Sequence, residues 1–488
     1  MSMTSALVIP SGELANEPVG SPRWWLARLL DRLVIQAQHA NVLDEYHRGV
    51  QEVPHRSQNV AQAYRRLMEM CRTNFAELVV EAVRERMVPA GFRTGAVSDP
   101  TGDAEAWRVW QANALDADAD LVHRAQLAMG AGYVLVGGVD DEIDAALITP
   151  EDPRQMIAEL DPVRRRRVRA ALKVFHDDLE EVDRAFLYLP GEVWKARRAN
   201  RGELSSLATT GWVFDDDTPQ RLPAKVVPVV PFLNRPDLFG VPRGEFEPHL
   251  GLLDRINYGL LSRLEVATLQ AFRQRAVKGV PVTDDKGRDI DYSDVFAADP
   301  GAMWLLPETA ELWESGQVDL GPIRAAIHDD VEHLAAVTRT PMHYFSPGEA
   351  TQSAEGAALS REALVFKCRD RIKQASESWE QVMALAFLFA GDEARAQRAD
   401  MEVLWDDPER RSLAERADAA SKAEAGGVPW ETRMRDIWQF SPQQIDRMEA
   451  ERANDALMLA LAMPLRAPTP AVPAATPPVA PPEVTGAG

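Results

Sequence analysis

Apolar positions along this chain recur mostly at three- and four-residue spacing. In 244–276, Leu250, Leu253, Asn257, Leu260, Leu261, Leu264, Ala267, Ala271 and Phe272 fall on one face, the signature of an amphipathic helix. A helix over all 33 of those residues would be about 50 Å long at 1.5 Å per residue. An acidic, irregular segment, 277–319, follows with three Lys or Arg against ten Asp or Glu. Helical spacing resumes over 321–339, stops at Pro341, and restarts near Gly356 to run to 390 through Leu359, Leu364, Ile372, Ala375, Trp379, Val382, Met383, Ala386 and Phe387. Two helices flanking an insert, then a loop and a longer helix, describe a rod with a tip.

Upstream, helices are predicted over 22–87 and 103–130. The first carries Trp24, Trp25, Leu29, Leu30 and Leu33, then Ala61 to Ala82; Pro89 and Gly91 close it. Short β-rich runs at Gly132–Val139, Arg169–Phe175, Arg184–Leu189, Val193–Ala196 and Val226–Phe232 are separated by turn residues. Downstream, Met401–Trp405 reads as a strand, followed by helices to Lys422 and over 430–463. The fold class is α+β, mostly helical. The tail 466–488 holds seven prolines and one charge of each sign, too little apolar area to fold.

Composition narrows the class of protein. At 488 residues with 45% hydrophobic content, the chain can bury a substantial core. Cys71 and Cys368 make neither a disulfide framework nor a metal pattern and point to a reducing compartment. Residues 1–20 lack a basic region before an apolar one, so no secretory signal is expected. Val382–Ala390 is among the longest apolar runs, far short of the roughly 20 residues of a membrane helix. The net charge of −21 argues against gripping nucleic acid, because phosphate contacts need Lys and Arg. It suits either simple solubility or a surface that passes a polyanion without sticking to it.

Candidate chemistry is sparse. Gly130, Gly132, Gly137 and Gly138 surround a strand, but neither the dinucleotide fingerprint nor a phosphate loop is present, and structural turns explain them. His328 and His333 are five apart, so on a helix they point about 140° from one another; a zinc helix needs four-residue spacing. A metal-dependent hydrolase using Asp329, Asp330 and His333 is one alternative, and a cytoplasmic helical scaffold another. Arg164–Arg167 with Arg169 is the strongest basic cluster, read as a solvated helix face answering Glu151, Asp152, Glu159 and Asp161. Trp304 and Trp313 sit in the acidic insert, where exposed aromatics favour protein recognition.

Several short motifs together resemble the portal proteins of tailed double-stranded-DNA bacteriophages, in the form found in phages of actinobacteria. Tyr46, Gly49, the run Asn74 to Met87 and Gly91-Phe92 look like the amino-terminal wing. Val227-Pro-Val-Val-Pro-Phe-Leu-Asn234, Gly244-Glu-Phe246 and Leu252-Leu-Asp-Arg-Ile-Asn257 look like the lead-in to a stem helix. Thr340-Pro-Met-His-Tyr-Phe345 and Ser353-Ala-Glu-Gly-Ala-Ala-Leu359 look like the junction into a tunnel loop and long wing helix. The likeness spans about 20–460. One departure stands out: many relatives read Gly-Arg-Ser-Glu before the stem, whereas this chain reads Pro242-Arg-Gly-Glu245.

The resemblance implies a non-enzymatic, cofactor-free, metal-free ring subunit with an extension (1–21), wing (22–240), stem helix (241–276), clip (277–319), second stem helix (320–344), tunnel loop (345–356), long wing helix (357–400), wing or crown region (401–465) and disordered tail (466–488). It implies a homo-oligomer, usually of twelve, at one capsid vertex of the virion, assembled in the host cytoplasm. Double-stranded DNA would pass through it; terminase large subunit, head–tail adaptor, major capsid protein and scaffold would bind it, and no membrane would. Ser346, Gly348, Glu349, Thr351, Gln352 and Ser353 are the expected DNA-facing loop residues. Asp284, Asp285, Trp304 and Trp313 are the expected clip contacts with terminase and adaptor. Leu253, Leu260, Leu264 and Phe272 are the expected stem interface between subunits.

Overall fold

The computed structural model describes residues 17–52, 66, 68–96, 102–198, 211–271, 275–281, 283, 286–290, 310–314, 316–346, 354–409, 413–440 and 442–462. The chain divides into two compact units, Met1–Arg416 and Ala417–Gly488.

The first unit opens with α1 (Pro22–His47), started by Ser21, whose side chain accepts from the Trp24 amide, and by Pro22 in the first turn. Its leucines at 26, 29, 30 and 33 lie on one stripe and are fully buried. They cover one face of an antiparallel sheet built from β4 (Met156–Leu160), β5 (Val168–Asp177), β6 (Val182–Leu189), β7 (Glu192–Arg198) and β8 (Val213–Phe214), with β9 (Gln220–Arg221) on β7. Alternation along the strands puts Met156, Val168, Ala171, Tyr188 and Val193 on the opposite face, where they meet Ala131, Tyr133, Val227 and Val229. Those last residues belong to or adjoin a three-stranded sheet, ordered β10 (Val229–Leu233), β2 (Ala131–Asp140), β3 (Ala145–Glu151).

The main core lies on the three-stranded sheet. It gathers α2 (Phe75–Arg84), α3 (Ala104–Ala112), α4 (Leu115–Met129) and the 37-residue α7 (Ala354–Ala390). Trp379 of α7 is its centre: the ring sits 4.8 Å from both Trp110 and Phe232, and its indole N–H donates to His123 Nε2 at 2.9 Å. The expected helix over 103–130 is two, broken at Ala114, which takes a left-handed φ of 53° between α3 and α4. Gly130 (φ 83°) ends α4; a Cβ there would meet the Arg243 carbonyl carbon at 3.1 Å, so this glycine serves the turn and close backbone approach.

The remaining differences from expectation are mostly strands. Pro89–Arg93 forms β1, which pairs with β13 (Glu402–Trp405) more than 300 residues away, a partner no local pattern announces. The Arg164–Arg167 run is not a helix face: it is the turn between β4 and β5, because Asp161 Oδ1 accepts from the amides of Val163 and Arg164 and closes the chain on itself. The helix expected over 244–276 is α5, Leu250–Ala271, preceded by a 3₁₀ turn at Glu247–His249. Arg275–Lys278 is instead a strand, β11, paired with β12 (Glu311–Glu314) inside the segment expected to be irregular. Then α6 spans Gly321–Thr338, Met342–Tyr344 makes one 3₁₀ turn, and α7 begins at Ala354.

In the second unit, after α8 (Leu413–Ala425), come α9 (Trp430–Asp436) and α10 (Pro442–Ala462). Arg433 holds Glu424 at 2.8 Å and Arg452 lies 5.1 Å over the Trp430 ring. Of the described residues, no helix is long and apolar enough to cross a membrane.

Candidate functional site, the helix pair and its buried anchor

The helix pair α5 and α6 runs antiparallel. Contacts descend one helix as they climb the other: Arg255 to Asp330 at 2.6 Å, the Gly259 backbone against Ile327, and Gln270 Nε2 to the Val318 carbonyl at 2.7 Å. A Cβ on Gly259 would stand 2.8 Å from Ile327 Cγ1, so glycine here sets how closely the helices pack. The amino-terminal half of α5 is fastened to the body by polar groups as well. Tyr46 donates to Asp254 Oδ1 at 2.7 Å, and Asn257 Oδ1 accepts from both the amide and hydroxyl of Thr73, at 3.0 and 2.9 Å. Burial and the Asp254 charge push the Tyr46 phenol well above its ordinary range.

Where the pair leaves the body, a buried ion cluster ties four segments together. Glu245, just before α5, is 2% exposed. Its carboxylate takes Lys367 Nζ at 3.0 Å and Arg371 Nε at 2.6 Å from α7, and Asn234 Nδ2 at 3.0 Å from the end of β10. Lys367 also donates to the Thr338 carbonyl, the last residue of α6, at 2.9 Å. Burial alone would raise the Glu245 pKa, but the two cations and the hydrogen bonds outweigh it and hold the carboxyl at about 2. Burial pulls the Lys367 ammonium below the ordinary lysine range, against the opposing pull of Glu245. The base of the helix pair, where α5 begins and α6 ends, is thereby locked to one stretch of α7. Beyond α6, Tyr344 donates to Glu85 and accepts from Arg86, both at 2.7 Å, and Phe345 meets Phe75 edge-on at 5.3 Å.

The expected site residues fall as follows. Ser346 is half-buried and its amide donates to the Met342 carbonyl at 2.9 Å. Gly348, Glu349, Thr351, Gln352 and Ser353 lie outside the described residues, as do Asp284, Asp285, Trp304 and Phe272. Trp313, in β12, is 57% exposed at the tip of the helix pair. Leu253 is 3% exposed and packs into this subunit's own main core, while Leu260 and Leu264 are half-buried beside Met68, Cys71 and Leu261. Asp330 is engaged by Arg255, and His328 lies 3.4 Å from Glu332. Among the described residues no three His, Cys, Asp or Glu side chains gather as a metal group would require. Both cysteines are free and buried.

Sequence reasoning missed the Glu245 cluster. Its signal was present: Lys367 and Arg371 interrupt the apolar stripe of α7 between Leu364, Cys368 and Ala375, and a charge on a buried face needs a counter-charge. The substitution of glycine for serine before Glu245 also has a local reason. A Cβ on Gly244 would come within 2.4 Å of the Ala128 carbonyl oxygen, while its amide donates to Glu247 at 2.8 Å.

An antiparallel helix pair tipped by a two-stranded ribbon thus stands on one anchored base, where buried charges tie the start of α5 and the end of α6 to one long helix. The chain belongs to the family of phage portal proteins of the SPP1 Gp6-like type, whose profile matches residues 28–457. It is 28% identical over 421 residues to a portal protein of Mycobacterium phage D29, covering 83% of this chain and 84% of the relative. To the portal protein of Mycobacterium phage L5 it is 28% identical over 432 residues, covering 85% of each. Among solved structures, chains from the neck of a native GTA particle computed with C12 symmetry and of an empty one computed with C6 symmetry match at 14% and 13% identity, with TM-scores of 0.41 and 0.40. They cover 76% and 77% of this chain, and 89% and 93% of their own lengths.

Proposed function

We propose that copies of this portal chain close into a ring around an axial channel at one capsid vertex, and that double-stranded DNA enters and leaves the head through it. The observation that carries this reading is the α5–α6 pair with its hairpin tip. It is held to the body at one end, yet leaves Leu312, Trp313 and Val337 about half exposed, at 45%, 57% and 51%. Neighbouring copies and docking proteins would cover such surface. The interface along the stem uses Leu260, Leu264 and Phe272, with Leu253 serving the subunit's own core. The tip, with Asp284, Asp285, Trp304 and Trp313, meets the terminase large subunit during packaging and the head–tail adaptor afterwards. Scaffold and major capsid protein hold the outer body. The chain acts by geometry, without catalysis.

Charge supports a conduit over a clamp. Twelve copies at −21 would carry roughly −250, far from the Lys- and Arg-rich surface that retains DNA. Ser346 through Ser353, small and polar with Glu349 among them, is the loop nearest the duplex. The expected assembly is 12 × 54.1 kDa, about 650 kDa for a closed ring, measurable by native mass spectrometry. Deleting 346–353 is expected to leave ring formation and the subunit count intact and to lower packaged DNA. A persistent monomer under assembly conditions overturns the ring, and normal packaging by the deletion overturns the loop assignment.

A further inference from the structure

Two surfaces at opposite ends of β5 carry complementary chemistry. At its start, the turn Arg164–Arg167 borders a cleft of about 620 Å³ whose wall is apolar, including Leu385 and Leu388 of α7. All four arginines are exposed. Arg166 lies 3.6 Å from Glu377, which also holds Arg398 at 2.8 Å. At the end of the same strand, the turn Asp177-Asp-Leu-Glu-Glu181 presents Leu179, 97% exposed, between four carboxylates.

We infer that the acidic Leu179 turn of one copy docks into the arginine-rimmed, leucine-floored cleft of the next. Leu179 would reach Leu385 and Leu388, while Asp178 and Glu181 meet Arg165 and Arg167. Both halves are preorganised. Asp177 Oδ1 accepts from the Leu179 and Glu180 amides at 3.1 and 3.3 Å, and its other oxygen takes Arg184 at 3.0 Å. The basic turn is closed by Asp161 and by the Arg167 amide on the Arg164 carbonyl at 2.7 Å. The backbone of each turn is thus already ordered, and only the exposed side chains remain to be fixed on docking.

The placement matters as much as the chemistry. Ten residues of β5 separate the two turns by about 30 Å along one strand. Different patches at separated points of one rigid sheet make a head-to-tail contact, the kind a closed ring is built from, and not the self-complementary contact of a two-fold dimer. Duplex DNA could satisfy the arginines but has nothing to offer the leucine floor, so a second copy is the better match. This inference rests on the ring reading above and assigns one of its contacts.

The test uses the full-length chain in three charge variants: R165E/R167E, D178R/E181R, and all four substitutions together, with L179S as a fourth. Ring formation is followed by native mass spectrometry against subunit concentration, and folding by far-ultraviolet circular dichroism. Each pair and L179S should raise the concentration needed for rings by about tenfold or more, with unchanged dichroism, and the four-fold variant should recover most of that loss. In addition, R165C/D178C should give a disulfide ladder on mild oxidation, whereas the wild type, with both cysteines buried, should not. Rings that form normally in either pair, or loss without recovery in the combined variant, overturn the contact while leaving the ring reading intact. Normal rings together with lost duplex binding in R165E/R167E also overturn it, in favour of a nucleic-acid site. A wild type that never leaves the monomer overturns both.

Discussion

Lys367 Nζ lies 3.0 Å from Glu245 Oε2 with their side chains only 4% and 1% exposed, joining the long helix to the segment that leads into α5. Because the same ammonium also holds the Thr338 carbonyl, one α7 residue grips the start of α5 and the end of α6. A movement of α7 would therefore reach both helices at the base of the rod.

Glu245 is the shared counter-charge of Lys367 and Arg371, so its loss leaves two buried cations facing each other. Breaking a buried pair in this way costs about 3–5 kcal/mol. E245Q should lose that much in chemical denaturation. K367M should lose less, because Glu245 keeps Arg371 at 2.6 Å and Asn234 at 3.0 Å. Equal losses in the two variants would mean that Glu245 is not the hub.

Restoring the serine that many relatives carry before the stem should harm this protein. G244S places a Cβ 2.4 Å from the Ala128 carbonyl oxygen, a backbone atom that cannot swing aside. Overpacking of this kind costs about 1–3 kcal/mol. The melting temperature should fall, and a rise would show that the α4 end moves freely.

Acid should weaken the fold in two overlapping windows. His123 is fully buried, accepts from Trp379, and has its pKa lowered to about 3 by burial, with the Arg84 charge adding to it. The unfolded chain thus binds a proton that the folded chain refuses, between the ordinary histidine value near 6.5 and 3. Stability is retained above 6.5 and falls by about 1.4 kcal/mol per pH unit below it. Burial lowers His47 and His249 in the same direction. Glu245 acts below: its stabilisation is present above the unfolded value of 4.5 and is lost as pH falls toward 2. Denaturation of H123Q between pH 6.5 and 5 should show a slope shallower than wild type by about one proton; an unchanged slope would mean that His123 is not the group.

What could be read from the chain was what depends on neighbours in sequence. The leucine stripe of α1 and the strands near 132–139, 169–175, 184–189 and 193–196 all arise from local periodicity, and each stands in the fold. Distant pairing was not legible: Pro89–Arg93 is a strand only because Glu402–Trp405 lies beside it. Nor was the fate of Leu253, since an apolar stripe does not say whether its own core or another subunit covers it. Arg164–Arg167 looked like a helix face because Asp161 was counted only as a counter-charge, whereas its carboxylate accepts from the Val163 and Arg164 amides and bends the chain. The Glu245 anchor escaped although all its members were in view, because pairing across 122 and 126 positions needs the fold itself.

Asp330 carries the last prediction, because it decides between a structural and a metal role for the polar face of α6. Arg255 meets it through two contacts, 2.6 and 3.0 Å, with Arg255 largely exposed. Exposed pairs contribute about 0–1 kcal/mol, so D330N should shift the unfolding midpoint only slightly and R255Q by the same amount, with no further loss when combined. A chelator should leave the melting curve unchanged, and the purified protein should hold no stoichiometric metal by elemental analysis. If chelation lowered the melting temperature in the wild type but not in D330N, the carboxylate would be holding an ion. The Arg255 contact would then be its resting partner instead of its purpose.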